Sequence, residues 1–375
     1  MKFNRKNPSH YLKISIFCFV FLITFFISLF IKRKNETIFL LGHHFNGNLE
    51  GFYNRATESK SVKYLTFNYK FSKKFKDFKY IFFPNNIFNL LNSKIVIASH
   101  GILFHRLLNL KKIKTYHIGH GVQTSITNFN KSEYYLFDEI WLSSDMDRNI
   151  LINDCNYKSD NLFTTGFIKI ENTKRNEINR EKIKRDLGLN LNYCLYAPTA
   201  TGKIESESLN NFQFKNLSFL KELNRLSGKI DVKTIIKLHY NDHVYNKVDK
   251  KIIDFIKNSE NLIYFKNLNL ENNQDLLNIV DFLITDWSSI YIDFLPLKKP
   301  IIFLNAPLRR KNNNLSKFMV NRNIQRISTI DALEEKFFNI YLEDNQNMNE
   351  LELEIFENKY DENIFSRYES RLWSH

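Results

Sequence analysis

The chain has 375 residues, enough for two domains and a short appendage, and its 54 Lys and Arg against 40 Asp and Glu leave a formal charge of +14. That charge favours an anionic partner such as a phosphate polymer, a membrane surface, a nucleotide or nucleic acid, without choosing among them. A hydrophobic content of 43% with 35 Phe excludes a wholly disordered chain, and only 10 Gly and 6 Pro exclude collagen-like and Gly/Pro-rich architectures.

The first distinctive segment is an uncharged apolar run, residues 14–31, with basic residues on both sides. Its length and flanks predict a one-pass membrane anchor within a basic tail, residues 1–35. No small-x-small exit follows the run, which disfavours a cleavable signal peptide, and a buried or a shallow interfacial helix is the alternative. Because positive charges flank the run almost equally, the charge pattern sets no orientation.

From Glu36 onward, short apolar runs of strand length alternate with polar, helix-like stretches. This alternation predicts an α/β fold with two parallel sheets. The first series of predicted strands covers residues 37–41, 79–83, 94–99, 114–119 and 139–143. The second series covers residues 193–199, 232–239, 261–265, 281–286 and 299–304, with helical patterns at 219–226 and 249–258.

A polar stretch without strand-like runs, residues 171–185, is the best candidate for a linker between the two sheets. We therefore predict four parts after this division. They are the anchor at 1–35, an N-terminal α/β domain at 36–185, a C-terminal α/β domain at 186–330, and an acidic helical tail at 331–375 that packs back across the first domain.

Two histidine-containing turns end predicted strands of the first domain. His120 lies between two glycines, which allow a sharp turn and leave an imidazole open to substrate, as a general base requires; a loop histidine without a role is the alternative. His43, His44 and Asn46 follow the first strand and can line the side where an acceptor enters. His43 and His44 are adjacent, so their side chains diverge, and we expect no metal site there. His100 repeats the pattern more weakly.

In the second domain, polar residues end three predicted strands. Thr199 follows a strand that a proline stops, and Lys237 and His239 project to one side of a strand end, where a cation pair can bind a diphosphate. The segment 284–294, ITDWSSIYIDF, ends a strand and begins a helix, so it offers N–H groups and hydroxyls to a phosphate. A helix cap or a structural histidine explains each of these motifs when it is taken alone.

Several motifs are absent from the sequence. No GxGxxG, Walker loop, GxSxG or HExxH occurs, and the three scattered cysteines include no CxxC pair, so nicotinamide, P-loop, zinc and disulfide chemistry lack support. We expect no cofactor and no metal. The basic residues are spread along the chain and form no nucleic-acid motif, which disfavours nucleic acid as the partner.

Taken in order, His120-Gly121, the YAPT sequence that ends at Thr199, Lys237-Leu-His239 and the block ITDWSSIYIDFLPLKKPIIFL, residues 284–304, resemble the CDP-glycerol glycerophosphotransferase family of teichoic-acid and capsule synthesis. The resemblance spans about residues 37–305. It implies a GT-B fold, in which two Rossmann-like domains face a cleft and the second domain holds the donor. It also implies transfer of an alditol phosphate, most readily glycerol phosphate, from a CDP-alditol to a hydroxyl, with release of CMP.

The resemblance also implies residue roles. His120 is similar to the family's base that removes the acceptor's proton, and His239 is similar to the histidine that contacts the donor phosphates. The donor site would further contain Lys237, Thr199, Asp286, Ser288, Ser289 and Asp293, with Asp286 capping the turn. The sequence departs from the family pattern at four points. Ala200 and Thr201 follow YAPT where an aromatic residue and an arginine are frequent, and Tyr240 replaces a proline. Trp287 replaces a tyrosine, and Val122 replaces the threonine of the His-Gly-Thr form. These departures leave the donor alditol open.

The expected partners are a CDP-alditol donor, a lipid-linked or polymeric polyol-phosphate or glycan acceptor, and a membrane. A cytidine-diphosphate donor is cytosolic, so we expect the catalytic body on the cytoplasmic face of a bacterial inner membrane. A GT-B glycosyltransferase that uses a nucleotide sugar, and a non-catalytic tethered protein that binds anionic polymer, are the alternatives. The acceptor, the number of units added and the oligomeric state are not set by the sequence.

Overall fold

A computed structural model describes most of the chain. The described residues are 8–31, 36–42, 45–58, 60–73, 75–119, 121–122, 131–157, 160–177, 179–199, 217–239, 248–268, 270, 273–306, 324–340 and 363–373. They fall into two compact units. The N-terminal unit comprises the described residues of Met1–Val122, Phe129–Lys169 and Asp361–His375, and the C-terminal unit comprises those of Ile170–Tyr360.

In the N-terminal unit, the described residues form a seven-stranded parallel sheet of order β3-β2-β1-β4-β5-β6-β7. Successive strands on each side are joined through helices, and the order reverses between β1 and β4, which is where doubly wound sheets bind ligands. The strands are β1 Ile38–Leu41, β2 Val62–Thr66, β3 Phe78–Tyr80, β4 Ile95–Ala98, β5 Lys114–His117, β6 Glu139–Leu142 and β7 Leu162–Thr164.

Nine helices accompany this sheet among the residues described. They are α1 Pro8–Leu29, α2 Gly47–Ala56, α3 Tyr69–Ser72, α4 Pro84–Leu91, α5 His105–Leu110, α6 Lys131–Tyr134, α7 Asp145–Asn149 with a π-helical turn Ile150–Asp154, α8 Ile168–Glu177 and the C-terminal α15 Ile364–Trp373. The division between the units falls within α8.

In the C-terminal unit, the described strands form a five-stranded parallel sheet of order β10-β9-β8-β11-β12, with the order reversing between β8 and β11. The strands are β8 Asn192–Tyr196, β9 Val232–Ile236, β10 Leu262–Tyr264, β11 Phe282–Thr285 and β12 Ile301–Phe303. Its helices are α9 Arg180–Asp186, α10 Leu217–Lys229, α11 Lys250–Asn258, α12 Asn273–Ile279, α13 Ile290–Phe294 and α14 Ile330–Asn339, with 3₁₀ turns Phe265–Asn267 and Leu295–Leu297.

The expectation of two parallel α/β sheets is confirmed, and each predicted strand run contains a strand or the end of one. Two strands, β2 and β7, were not expected, because β2 mixes polar and apolar residues and β7 has only three residues. The predicted linker at 171–185 is helical, since α8 and α9 cover nearly all of it. The described helices of the acidic tail belong to different units. Leu333 and Phe337 of α14 lie in the core of the C-terminal unit, whereas α15 belongs to the N-terminal unit.

Helix α1 packs one face on the N-terminal unit. Phe17, Phe21 and Phe25 are buried, and the rings of Phe17 and Phe21 contact Phe104 with centroids 6.1 and 4.6 Å apart. At the end of the helix, the buried Lys111 Nζ donates to the Ser28 carbonyl at 2.5 Å. Among the described residues, no helix combines the length and the apolar character needed to cross a membrane, so the expected one-pass anchor is not found.

Helix α15 packs back onto the sheet of the N-terminal unit, as described contacts at its centre and end show. The Tyr368 hydroxyl donates to the Gly166 carbonyl at 2.9 Å, and its ring lies 4.4 Å from the buried Trp141 ring. Arg371 forms a two-pronged ion pair with Glu139 at the start of β6. Two parallel N–H bonds to one carboxylate fix the orientation of the helix.

Candidate functional site

The C-terminal unit brings the ends of β8 and β11 together at the reversal of its sheet. The two strands pair with Ile284 opposite Tyr196, and the Ala197 amide then donates to the Ile284 carbonyl at 3.0 Å. The Thr285 hydroxyl returns a bond to the Ala197 carbonyl at 2.7 Å. Open α/β sheets bind ligands beyond such a reversal, so the loops that follow these strands are the candidate site.

Asp286 holds the two loops to each other. Its Oδ1 accepts three hydrogen bonds: from the Thr199 amide at 2.8 Å, from the Thr199 hydroxyl at 2.6 Å and from the Ser288 amide at 3.2 Å. Asp286 is 9% exposed. Bonds to a buried carboxylate are the stronger class of hydrogen bond, so this one oxygen fixes the exit of β8 against the turn after β11. The prediction that Asp286 caps the turn agrees with this geometry.

The helix after this turn is shorter than the sequence suggests. Helix α13 has five residues, and Ser289, which precedes it, makes no capping bond with its side chain. A helix this short has only a small dipole, so its first turn offers a phosphate little beyond individual N–H groups. The groups available to a phosphate are therefore the exposed Ser289 and the half-buried Ser288 rather than a helix end.

Lys237 lies at the exit of β9, the strand next to β8. Its amide donates to the Tyr196 carbonyl at 3.0 Å, which places the residue beside the β8 exit. Burial lowers the pKa of Lys237, and the carboxylate of Asp293 opposes that shift by attraction. Two of the predicted donor residues are thus close enough to interact electrostatically. His239 is half-buried two residues further along the same segment.

An unpredicted arginine contacts the same turn. The guanidinium carbon of Arg326 lies 3.5 Å from the centre of the Trp287 ring, and Nη1 donates to the Asp286 carbonyl at 3.0 Å. The Trp287 ring is held in turn by its Nε1, which donates to the Ala306 carbonyl at 2.7 Å. Burial lowers the pKa of Arg326, with Tyr291 and Asp286 opposing the shift. The stacked pair places a second cation beside Asp286.

Arg326 has no motif around it that would have pointed to a site. Ile327, the next residue, pairs with the end of β12 and thereby places Arg326 beside the turn. The Ile327 amide donates to the Phe303 carbonyl at 2.8 Å. No arginine directly follows YAPT in the sequence. The signal that could have found Arg326 is Trp287, since an indole in a ligand turn favours a stacked guanidinium.

The candidate site in the C-terminal unit, named the anion cradle below, thus combines hydroxyl groups with two cations. Thr199, Asp286 and Ser288 are directly bonded, and Lys237 and Asp293 interact. Within the part of the chain that the structure describes, no cluster of His, Cys, Asp or Glu could hold a metal ion. Charge compensation for a phosphate here would come from Lys237 and Arg326, and hydrogen bonds from the serine hydroxyls.

The predicted acceptor-side residues are covered only in part. His43, His44 and His120 lie outside the described residues. Asn46 is half-buried and precedes α2 in extended conformation, without a capping bond from its side chain. The weaker candidate His100 lies two residues after the end of β4, and its Nδ1 lies 2.9 Å from the Ser99 hydroxyl oxygen.

One neighbouring histidine has a structural role. His117, the last residue of β5, is buried, and its ring packs 4.7 Å from the Tyr134 ring and 5.0 Å from the Phe137 ring. Burial lowers the pKa of His117 to about 3, with the nearby His100 adding to the shift. The imidazole of His117 is therefore neutral at physiological pH.

Two further polar residues lie near the described glycines 119 and 121. Asn48 is 1% exposed, and its Nδ2 donates to the Ile118 carbonyl at 2.8 Å and to the Gly119 carbonyl at 3.3 Å. Lys169 is buried, and its Nζ lies 3.5 Å from the position that a Cβ would occupy on Gly121. Neither residue is indicated by a sequence motif, because they lie 71 and 50 positions from Gly119 and only the fold brings them near it.

The family of the chain follows from comparison with known proteins. Residues 26–362 match the family described as CDP-Glycerol:Poly(glycerophosphate) glycerophosphotransferase. The match covers most of the chain and includes every residue of the candidate site. The chain belongs to this family, and the resemblance inferred from the motifs is confirmed.

Two relatives of known name are teichoic-acid enzymes. The chain is 27% identical over 242 residues to the teichoic acid glycerol-phosphate primase of Bacillus subtilis (strain 168), covering 60% of this chain and 58% of that protein. It is 28% identical over 193 residues to the teichoic acid glycerol-phosphate transferase of Staphylococcus aureus (strain NCTC 8325 / PS 47), covering 50% and 46%. The chain spans about half the length of the curated relatives it matches.

Among solved structures, the wall teichoic acid polymerase TagF has the same fold. Its structure superposes with a TM-score of 0.72 at 13% identity, over 98% of this chain and 97% of that one. A TagF variant soaked with CDPG gives a TM-score of 0.69 at 13% identity, over 96% of each chain. At this identity the likeness concerns the fold, which is GT-B-like.

Thr199→Val tests the bond that joins the two loops. The substitution keeps the shape of the side chain but removes the hydroxyl that donates to the buried Asp286, and we expect the free energy of unfolding to fall by about 1.5–3 kcal/mol. The measurement is urea denaturation followed by tryptophan fluorescence. Ser289→Ala, which removes an exposed hydroxyl without a capping bond, is the matched control and should change stability by less than about 0.5 kcal/mol. Equal stability of both variants would contradict the geometry.

Proposed function

We propose that the chain transfers an alditol phosphate, glycerol phosphate first among the candidates, from a CDP-alditol to a hydroxyl of a membrane-associated acceptor or growing teichoic- or capsule-type polymer, releasing CMP. The observation that carries the proposal is the anion cradle around Asp286, at the reversal of the sheet, in a chain that belongs to a glycerophosphotransferase family. The TagF variant soaked with CDPG supports a cytidine-diphosphate donor for this fold.

The donor diphosphate would lie above the turn between β11 and α13. Ser288 and Ser289 would donate hydroxyl hydrogen bonds to its oxygens, and Lys237 and His239 would approach from the exit of β9. Arg326 would compensate charge from the Trp287 side, 3.5 Å above the ring on which it stacks. Asp286 would position the turn without touching the diphosphate, because its Oδ1 already accepts three hydrogen bonds.

The proposed reaction is an attack on the β-phosphorus of the donor. The acceptor oxygen forms a bond to that phosphorus, the bond from phosphorus to the bridging oxygen breaks, and CMP leaves with the electron pair. His120 would take the proton of the attacking hydroxyl, and His239 would donate a hydrogen bond to the leaving phosphate. Phosphoryl transfer depends mainly on positioning and on charge stabilisation, which is what a cradle with two cations supplies.

We further propose that α1 holds the protein at the cytoplasmic face of a membrane as an interfacial helix. The helix buries Phe17 and Phe21 on its own unit and exposes apolar side chains on the opposite face: Ile16, Phe19, Ile23, Phe26 and Ile27. A contiguous exposed apolar stripe is typical of a lipid contact, and the basic residues 32–34 that follow it in sequence would favour anionic lipid. The acceptor and the donor would then meet at the inner leaflet.

The reaction is tested by CMP release from CDP-glycerol and from CDP-ribitol, in the presence of bacterial membranes. We expect release by the wild-type chain and a rate at least about 100-fold lower for His120→Ala and for His239→Ala, since each removes a proton-transfer or phosphate contact. Lys182→Ala, an exposed change on α9, should retain the wild-type rate. Consumption of UDP- or GDP-sugars with no CMP from either alditol donor would contradict the proposal and favour the glycosyltransferase alternative.

The interfacial helix is tested by sedimentation with vesicles of phosphatidylcholine and phosphatidylglycerol. Replacing two exposed rings together, Phe19→Glu with Phe26→Glu, should weaken binding at least about tenfold, because each phenyl ring would lose about 1.5–3 kcal/mol of burial. Phe338→Glu, the same change at an exposed ring of α14, is the control and should bind as the wild type does. A double variant that sediments like the wild type would rule out this contact.

A further inference from the structure

A pocket lies at the carboxyl edge of the N-terminal sheet, between α1 and the ends of β1, β2 and β4. Helix α1 contributes Phe17 and Phe21, the strand ends contribute Leu41 and Leu65, and the segment after β4 contributes residues 100–103. The order of the sheet reverses between β1 and β4. The pocket therefore lies where doubly wound sheets bind ligands.

The pocket extends from a buried floor to an exposed mouth. At the floor, Phe21 and Leu65 are each 1% exposed, whereas Leu103 is 53% exposed and Gly101 is exposed beside it. The cavity volume is about 50 Å³, several times the minimum that one water molecule needs. A ligand can therefore enter beside residues 101–103 and reach the buried face of α1.

The lining of the pocket favours a hydrocarbon over water. Of the described residues that line it, His100 alone has a polar side chain. A buried water molecule needs roughly two to four polar partners, so a cavity with this lining stays dry. The walls of a dry cavity lose dispersion contacts, which a few carbon atoms of an apolar chain would restore.

The same lining disfavours a phosphate. Among the described residues that line the pocket, there is no lysine and no arginine. The carboxylate of Glu133 occupies the space that a side chain on Gly101 would need, so a negative charge lies beside the mouth. An anionic group would be repelled there, whereas an uncharged chain would not.

Two features indicate which molecule supplies the chain. Gly42 lines the pocket and directly precedes His43 and His44, the residues predicted on the acceptor side. Helix α1 forms one wall of the pocket, and the opposite face of the helix, with Phe19 and Phe26, is the proposed membrane contact. An acceptor held in the same membrane would have its apolar chain beside this helix.

We propose that the pocket binds the apolar chain of the acceptor. A few carbon atoms of the chain lie between α1 and the ends of β1 and β2, and the polar part of the acceptor lies at the mouth, beside residues 100–103. The protein then recognises the acceptor by its chain as well as by the hydroxyl that reacts. The inference rests on the proposed function, because it assigns the pocket to the acceptor of that reaction.

The first test measures how KM for the acceptor depends on the length of its chain. The acceptors are ethyl, butyl, hexyl, octyl and decyl glycosides, each below the concentration at which it forms micelles, and the readout is CMP release with CDP-glycerol as the donor. KM should fall about threefold to fourfold for each methylene group that enters the pocket. Once the pocket is full, a longer chain should bring no further fall.

Variants of the lining should move this length limit in opposite directions. Leu41→Phe fills part of the pocket and should end the fall in KM at a shorter chain, and Leu41→Ala should extend it to a longer chain. Ile102→Phe is a second filling variant on a different segment. Leu110→Phe, the same change at a 70% exposed residue of α5 outside the lining, should keep the wild-type limit. A purely structural role would not shift the limit both ways.

The second test locates the chain without any donor. An octyl glycoside with a diazirine at the end of its chain is photolysed with the full chain of the protein, and mass spectrometry maps the labelled residues. Labels are expected on the lining, at Leu41, Leu65 or Ile102. Phosphatidylcholine with the same diazirine, in vesicles, is the parallel probe and should label the exposed face of α1, at Phe19 or Phe26.

The outcomes separate this inference from the proposed reaction. A length limit that is the same in the wild type, Leu41→Phe and Leu41→Ala, or glycoside labels confined to the exposed face of α1, would overturn the pocket as a chain site. Equal labelling of the lining by phosphatidylcholine would overturn its assignment to the acceptor. Labelling of the lining by the glycoside, without CMP release by the wild type from CDP-glycerol or CDP-ribitol, would support the chain site and overturn the proposed reaction.

Discussion

The candidate site depends on one carboxylate oxygen. Asp286 Oδ1 accepts from Thr199 twice and from Ser288 once, and through these bonds it holds the exits of β8 and β11 at a fixed separation. The bonds between Ala197 and the end of β11 hold the strand exits themselves, and Asp286 extends this link to the residues that follow, Thr199 and Ser288. Because Oδ1 of Asp286 already accepts three hydrogen bonds from the protein, its role is to shape the turn, and the serine hydroxyls and the cations are the groups proposed to meet a ligand.

In the N-terminal unit, a neutral side chain, Asn48, joins two backbone segments in the same way. Asn48 has both a donor and an acceptor, so one amide side chain fixes the carbonyls at the exit of β5 and the first turn of α8. In each unit, a short polar side chain that is almost fully buried sets the backbone beside the residues proposed to act. In the C-terminal unit, the cations proposed to face the donor phosphates are on longer side chains, Lys237 and Arg326.

Most of the fold followed from the period of apolar residues, because buried parallel strands are continuous apolar runs bounded by turns. The motifs that end strands could also be identified from the sequence. Thr199, Asp286 and Ser288 were predicted as site residues, and they lie in one hydrogen-bonded cluster. Residues whose position depends on packing between distant parts of the chain could not be predicted from the sequence. Arg326 reaches the site through a pairing with β12, and Lys169 lies near Gly121 although 48 positions separate them.

The segment that the sequence assigned to a membrane span shows why composition alone does not settle a topology. Its Phe17 and Phe21 serve as core residues of the N-terminal unit, which an apolar count cannot distinguish from a lipid-facing role. The proposed interfacial contact of α1 rests on this pattern of a buried stripe on one side and exposed apolar side chains on the other.

The most direct measurement is a crystal structure of the chain with CDP-glycerol bound. The account predicts the diphosphate over the turn that follows β11, with its oxygens within hydrogen-bonding distance of Ser288 or Ser289 and its charge facing Lys237 and Arg326, while Thr199 remains bonded to Asp286. A diphosphate bound elsewhere, or one that contacts the Asp286 carboxylate after displacing Thr199, would contradict it.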